Sequence, residues 1–228
     1  GLGTLRVLLH RYLKRKKYKV VTLCDDSYDM IVNRNDFSWW HRMARRYLAP
    51  RLDDIIVVSP QVRDWYQEHL GKGYFVPILQ EEEYARTRYR KVLERVHVLR
   101  QRYSMQHKKV FLFVGRLVAQ KNVKVILRAF ARLDQKHNLL VIVGDGPEFP
   151  HLILLAKQLN LQVRFTGRLE GDALYAWYNA ADVFVLASRQ EPFGAVTNEA
   201  LLAGCYVLVS QKAGSSCLVV EGENGYTF

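Results

Sequence analysis

From residue 110 to the end, short apolar runs rich in β-branched residues alternate with stretches of helical period, and this alternation constrains the fold of the 228-residue chain more than any other feature. The runs are VFLFVG, LLVIVG, VRFTG, DVFVLAS and YVLVS. Helices are expected after them to about Leu133, through Leu159, through Tyr178, from Gly194, and as a last short helix before the closing YTF. Strands alternating with helices make βαβ units, whose parallel sheet carries helices on both faces. Burial of both faces explains why the runs are continuously apolar. The predicted class is α/β with a doubly wound, Rossmann-like parallel sheet. In such sheets ligands sit outside the carboxyl ends of the strands, where VGRLVAQKN, VGDGPE and SRQEPFG all fall.

Residues 1–80 also read as α/β, with strands at YKVVTL, DIIVVS and YFVPIL and helices around Trp39 to Tyr47 and Gln61 to His69. Three strands are few for an independent domain. Two complete doubly wound domains want well over about 300 residues at roughly 100 to 200 each, so this part reads as the back half of a second one. The chain begins without Met and stops directly after a strand, which fits a fragment. A long charged helix from about Glu82 to Tyr103 is expected to connect a partial first domain, 1–80, to a second, 81–228, truncated at its C-terminal end.

Charge is spread unevenly: residues 1–109 hold 23 of the 34 Lys and Arg but 12 of the 22 Asp and Glu. A basic half suits a phosphate-bearing partner, either nucleic acid or an anionic membrane surface, and a solvated face explains any single cluster such as Lys14 to Lys17 equally well. No apolar stretch approaches the roughly 20 residues of a membrane span, and the start lacks the order of a signal peptide. The expected location is the cytoplasm, with peripheral contact at the inner membrane face. Cys24, Cys205 and Cys217 are odd in number and far apart, without metal or redox spacing, and read as packing thiols.

The chemistry concentrates in RQEPFGAVTNEALLAGC, residues 189–205, where Glu191 and Glu199 flank a Phe-Gly turn. Gly194 lets the chain turn tightly out of its strand into a helix whose first amides are unpaired and suit an anion. Glu199 then lies about 7 Å further along the helix, comparable to the separation of a diphosphate from the ribose of its nucleotide. A carboxylate accepts two hydrogen bonds from a vicinal diol, so Glu199 can face a ribose and Glu191 a sugar beyond the diphosphate. The bland alternative is one surface Glu and one favoured by the helix dipole. Arg116 and Lys121 follow another strand end, where two cations can hold and neutralise a diphosphate. The Gly-Asp-Gly-Pro turn of VGDGPE is read only as a chain reversal.

Taken in order, FVGRLVAQKN, VIVGDGPE, VRFTGRLEGDALYAWYNAADVFVLAS, QEPFGAVTNEALLAG and GENGYTF resemble the donor-binding half of a family 4 (group 1) glycosyltransferase of GT-B fold, including its pair of acids separated by seven residues. The resemblance covers residues 110–228 closely and the first hundred loosely. It implies a retaining transferase that uses a nucleotide-diphosphate sugar and needs no metal or other cofactor. By position, Arg116 and Lys121 match the diphosphate clamp, Glu191 the donor-sugar carboxylate and Glu199 the ribose carboxylate. The amides of Phe193, Gly194 and Ala195 match the turn holding sugar and phosphate. Gly167, Arg168 and Leu169 match the nucleobase edge. The segment AGSSC, residues 213–217, departs from the Gly-Gly-x-Pro-Glu of many relatives, so the outer wall of the cleft is expected to differ. The acceptor-side Gly-rich loop and His of complete members have no counterpart. All seven histidines, His41 and His69 among them, are therefore read as structural or surface groups, and the chain is expected to bind donor without transferring sugar.

The expected donor is UDP- or GDP-linked, and the expected acceptor a glycan or lipid-linked glycan of capsule, lipopolysaccharide, other polysaccharide or glycolipid synthesis. Two alternatives stand beside this: a GT-B sugar-nucleotide epimerase or phosphorylase, which would share the architecture, and a basic nucleic-acid-binding module. The second is suggested by Trp39, Trp40 and Tyr47 beside Arg42, Arg45 and Arg46. In a transferase the exposed part of that cluster would touch anionic lipid.

Overall fold

The computed structural model describes residues 2–33 and 38–228. The chain divides into two compact units, residues 1–78 and 79–228.

In the first unit, helix α1 (Leu2–Leu13) precedes strand β1 (Val21–Cys24), α2 (Tyr28–Val32), α3 (Trp39–Met43), β2 (Asp54–Val57), α4 (Pro60–Leu70) and β3 (Tyr74–Phe75). The three strands are parallel in the order β1-β2-β3, with Val21 opposite Asp54 and Ile56 opposite Tyr74. α4 has both its boundaries written in the sequence. Ser59 accepts the Val62 amide at 3.3 Å, Pro60 opens the first turn, and Gly71 closes the helix in the left-handed conformation. Two strands are shorter than expected. YFVPIL pairs only at Tyr74 and Phe75, because Pro77 has no amide to continue a ladder. YKVVTL enters the sheet only at Val21: Tyr18 instead donates to the Val7 carbonyl on α1, and the Val20 amide donates to Asp53. α1 itself was not expected; Arg11 anchors it through Asp53 and the Arg51 carbonyl. Ile31, Ile55, Val57, Val62 and Tyr66 fill the core of this unit.

In the second unit the expected order of elements is observed. Strands β4 (Lys109–Val114), β5 (Asn138–Val143), β6 (Val163–Gly167), β7 (Val183–Leu186), β8 (Tyr206–Val209) and β9 (Gly225–Thr227) alternate with α7 (Val123–Phe130), α8 (Phe149–Gln158), α9 (Gly171–Ala180) and α10 (Val196–Leu202), and a 3-10 turn at Gly214–Leu218 leads to β9. All pairings are parallel, in the order β6-β5-β4-β7-β8-β9. Phe113, Leu140, Ile142, Phe184 and Tyr178 are fully buried in a core continuous through the sheet. Each such side chain stabilises the fold by about 1.5–3 kcal/mol through removal of apolar surface from water.

The charged stretch after Gln80 corrects the sequence reading. It is two helices, α5 (Glu82–Lys91) and α6 (Leu93–Arg102), broken at the fully buried Val92. Neither is a free connector. Both pack on α9, and Arg100 donates to the Ala180 carbonyl at 3.0 Å at the end of that helix. The break lets each segment lay its apolar side on the domain, which one straight helix would not. The cysteine reading is corrected in part. Cys24 and Cys205 are buried, with thiols pushed up by burial to about 11 and about 12, but Cys217 is exposed.

Candidate functional site

The strand order sets where a site can form. The chain builds outward from β4 through β5 to β6, then crosses back to place β7 on the other side of β4. At such a reversal of strand order a crevice forms at the carboxyl ends, between the loops that follow β4 and β7. The two loops are VGRLVAQKN and SRQEPFG.

They meet directly. The Arg189 amide donates to the Gln120 carbonyl at 2.8 Å, and Lys121 Nζ donates to Glu191 Oε2 in an ion pair that leaves the Glu191 side chain 11% exposed. Ser188, itself buried, adds a hydroxyl donated to the same oxygen at 3.2 Å. The structure thus joins Lys121 to Glu191, two residues assigned to different parts of a ligand. Arg116 stands apart: its side chain is exposed and takes no hydrogen bond or ion pair among the described residues.

The Gly-Asp-Gly-Pro turn does more than reverse the chain. The Leu117 amide donates to the Asp145 carbonyl at 2.8 Å, and the Glu148 amide to the Leu117 carbonyl at 2.9 Å, so this loop lies backbone to backbone on the loop after β4. A Cβ on Gly144 would sit 1.8 Å from the Gly115 carbonyl oxygen, and one on Gly146 2.5 Å from that of Leu117. The glycines are required by this close approach.

Phe193, Gly194 and Ala195 form the turn into α10. Phe193 is buried, Gly194 adopts φ +91°, and a Cβ there would meet Leu186, Glu191 and Ser215 within 3.1 Å. The helix begins at Val196, two residues later than expected, so the three preceding amides belong to an open turn; none donates to a backbone carbonyl among the described residues. The divergent AGSSC segment holds this turn. The Gly214 amide donates to the Glu191 carbonyl at 3.1 Å and the Ser215 amide to that of Phe193 at 2.7 Å, while the buried Ser215 and Thr197 hydroxyls pair at 2.9 Å.

Glu199, half-buried in α10, has no cationic partner among the described residues. Tyr178 donates its hydroxyl to Glu199 Oε2 at 2.8 Å, and Tyr89 donates to the Glu199 backbone carbonyl at 2.7 Å. Burial pushes the carboxyl above its usual range, and the Tyr178 hydrogen bond opposes that shift. The sequence reading missed Tyr178, Tyr89 and Ser188. One signal was available for Tyr178: a buried phenol in an apolar helix must find an acceptor.

Gly167 ends β6, the edge strand, two places from β4 and hence about 10 Å from it, and Arg168 and Leu169 follow the strand. Gly167 accepts the Gly144 amide at 2.9 Å, Leu169 is half-buried on the core, and Arg168 is exposed, donating through Nε to Glu170 at 2.9 Å. They do not touch the Lys121–Glu191 pair. Among the described residues no three His, Cys, Asp or Glu side chains gather as metal ligands would.

Fold and loops together define a doubly wound α/β domain of nucleotide-binding type, with its crevice at the reversal of strand order. The sequence pattern of the family described as Glycosyl transferases group 1 matches residues 99–228, and the chain belongs to that family. An uncharacterized glycosyltransferase of Methanocaldococcus jannaschii is 38% identical over 135 residues, which cover 58% of this chain and 35% of that one. A GDP-mannose-dependent alpha-mannosyltransferase of Mycolicibacterium smegmatis is 31% identical over 212 residues, 88% of this chain and 49% of the relative. The chain therefore spans between a third and a half of these relatives' length. Among solved structures, Anabaena Alr3699/HepE in complex with UDP shares the fold with a TM-score of 0.81 over 99% of this chain and 62% of that one, at 21% identity.

Proposed function

We propose that residues 79–228 bind the donor of a retaining, metal-independent glycosyltransferase, a UDP- or GDP-linked sugar. The observation that carries this reading is the Lys121–Glu191 pair at the reversal of strand order, where a cation and a carboxylate share one crevice. Lys121, with the exposed Arg116, takes the diphosphate and neutralises it as the glycosidic bond breaks. Glu191 accepts hydroxyls of the sugar, and the open amides of Phe193, Gly194 and Ala195 supply further donors to phosphate and sugar. Glu199 takes the ribose, and Gly167 to Leu169 border the base. Two relatives support the donor class: one is described as GDP-mannose-dependent and the other is in complex with UDP. Transfer to a glycan or lipid-linked acceptor, in polysaccharide, lipopolysaccharide or glycolipid synthesis, belongs to the same proposal.

Calorimetric titration with UDP, GDP and ADP, with and without EDTA, tests it. One of the three should bind with an affinity that EDTA leaves unchanged. Failure of all three to bind would refute the donor reading, and a requirement for a divalent ion would refute its metal-free form.

A peripheral membrane contact through the first unit is the companion proposal. Trp39 and Trp40 are 53% and 73% exposed beside a basic helix, and α1 leaves Leu9, Tyr12 and Leu13 outward. Among the described residues no helix is long and apolar enough to cross a membrane. Aromatic and basic side chains together suit an anionic lipid surface. Sedimentation with vesicles of phosphatidylglycerol, but not of phosphatidylcholine, is the expected outcome; indifference to both would dismiss the contact.

A further inference from the structure

The geometry points to Tyr178 as a positioning residue that holds Glu199 by a single carboxylate oxygen, so that a nucleoside diphosphate's ribose is met by Oε1 alone. This rests on the donor-site reading above. It assigns the two hydrogen bonds expected from the diol to one oxygen of Glu199.

Two contacts, and the lack of a third, carry it. The Tyr178 hydroxyl, fully buried near the end of α9, reaches Oε2 at 2.8 Å and has one proton to give. The Tyr89 hydroxyl, from α5, grips the backbone of the same residue at 2.7 Å, so the turn of α10 bearing Glu199 is pinned from two helices. Oε1 takes no hydrogen bond from the described residues, yet it is not among the fully buried polar atoms that lack a partner. One oxygen is therefore committed to the protein and the other is not. A carboxylate held in this way has its torsion set before the ligand arrives, which lowers the ordering cost of binding.

The same contact governs ionisation. Facing Glu199 are Tyr178 on α9 and Tyr89 on α5; Cys205, just before β8, acts on both tyrosines, and Tyr175 acts on Tyr89. Burial raises the Glu199 pKa, and the hydroxyl that lowers it is Tyr178's. Burial also raises the tyrosine's own pKa well above its ordinary value, so it remains a donor at any physiological pH. Removing that hydroxyl leaves the burial effect unopposed. Glu199 then protonates at higher pH, and ribose binding, which needs the carboxylate, is lost at correspondingly higher pH.

The test compares Tyr178→Phe and Tyr89→Phe in the full chain. Each keeps the ring and loses one hydrogen bond to the same residue, but only the first reaches the carboxylate. Glu199 is titrated by carboxyl 13C NMR without ligand, and UDP and GDP binding is titrated from pH 5 to 8. Tyr178→Phe should move the Glu199 midpoint and the binding midpoint upward together and weaken binding at pH 7 by about tenfold; Tyr89→Phe should move neither midpoint. Glu199→Gln, which keeps an acceptor for Tyr178, should leave only the pH dependence of the nucleotide's own terminal phosphate and serves if Tyr178→Phe fails to fold. An unmoved NMR midpoint in Tyr178→Phe, equal shifts in both tyrosine variants, or a Glu199→Gln binding profile against pH identical to the parent's would overturn the proposal alone. No binding of either nucleotide by the parent would remove the donor reading and this proposal with it.

Discussion

Lys121 Nζ and Glu191 Oε2 form an ion pair although 70 positions separate the residues in the chain. β4 and β7 are neighbours in the sheet, so the loop that follows each ends at the same crevice. The pair is partly buried, and losing one member leaves the other charge without its partner.

Lys121→Ala should therefore act on both stability and binding. Nucleoside diphosphate affinity should fall about tenfold or more with the lost charge-assisted contact. Glu191→Gln should differ: it releases Lys121, so affinity for the free nucleoside diphosphate is retained or improves, while affinity for the sugar-bearing donor falls. Calorimetry with both ligands on both variants checks the division, and parallel losses in the two variants would contradict it.

Arg116→Ala should leave folding untouched, because the side chain is exposed and unpaired among the described residues. A change in unfolding free energy within about 0.5 kcal/mol is expected, together with a drop in nucleoside diphosphate affinity on the order of tenfold. Urea unfolding and calorimetry on the same preparation separate the two effects. Unchanged affinity would take Arg116 out of the diphosphate clamp.

Glu199→Gln should stabilise the protein at neutral pH while weakening nucleotide binding. The Glu199 pKa is raised in the fold, so its favourable contribution is fully present below its ordinary value of 4.5 and is lost as pH rises through the folded value. Gln does not ionise. The melting temperatures of parent and variant should nearly coincide at about pH 4 and separate in the variant's favour by pH 7.5. A variant less stable than the parent at pH 7.5 would show that the buried charge is compensated.

Gly144→Ala should be among the most damaging single substitutions in the second unit. Its Cβ would lie 1.8 Å from the Gly115 carbonyl oxygen, and backbone rather than a flexible side chain would have to move. A loss above about 4 kcal/mol is expected. Gly171→Ala is the contrast: it also has positive φ, at +56°, but nothing lies within 4 Å of its Cβ, so only the left-handed penalty of about 1–2 kcal/mol applies. Equal losses at the two sites, read by denaturant unfolding, would dismiss the close approach as the reason for Gly144.

The sequence by itself determined the second unit's architecture. Runs such as LLVIVG and DVFVLAS are apolar on both faces, which only a strand covered on both sides tolerates, and the helical patterns between them enforce parallel pairing. Local signals of this kind also wrote the ends of α4, where Ser59, Pro60 and Gly71 act within a few residues of themselves. They named Lys121 and Glu191 as well, since a charged residue in the loop past a strand end is visible in one dimension, and Glu199 as an acid in the helix that follows the Phe-Gly turn. Only the tertiary structure decided which of these groups touch. Strand order is a property of pairing between distant segments, and it brought Lys121 to Glu191 while leaving Arg116 free of partners among the described residues. The same holds for the break at Val92: periodicity continues through it, and the helix divides because its two halves find different surfaces on α9 and α10. Tyr178 shows the limit most plainly. In sequence it is one more apolar-face aromatic before a strand. Its hydroxyl acquires a role only because folding buries it 2.8 Å from Glu199, where an unmet hydrogen bond would be costly to both.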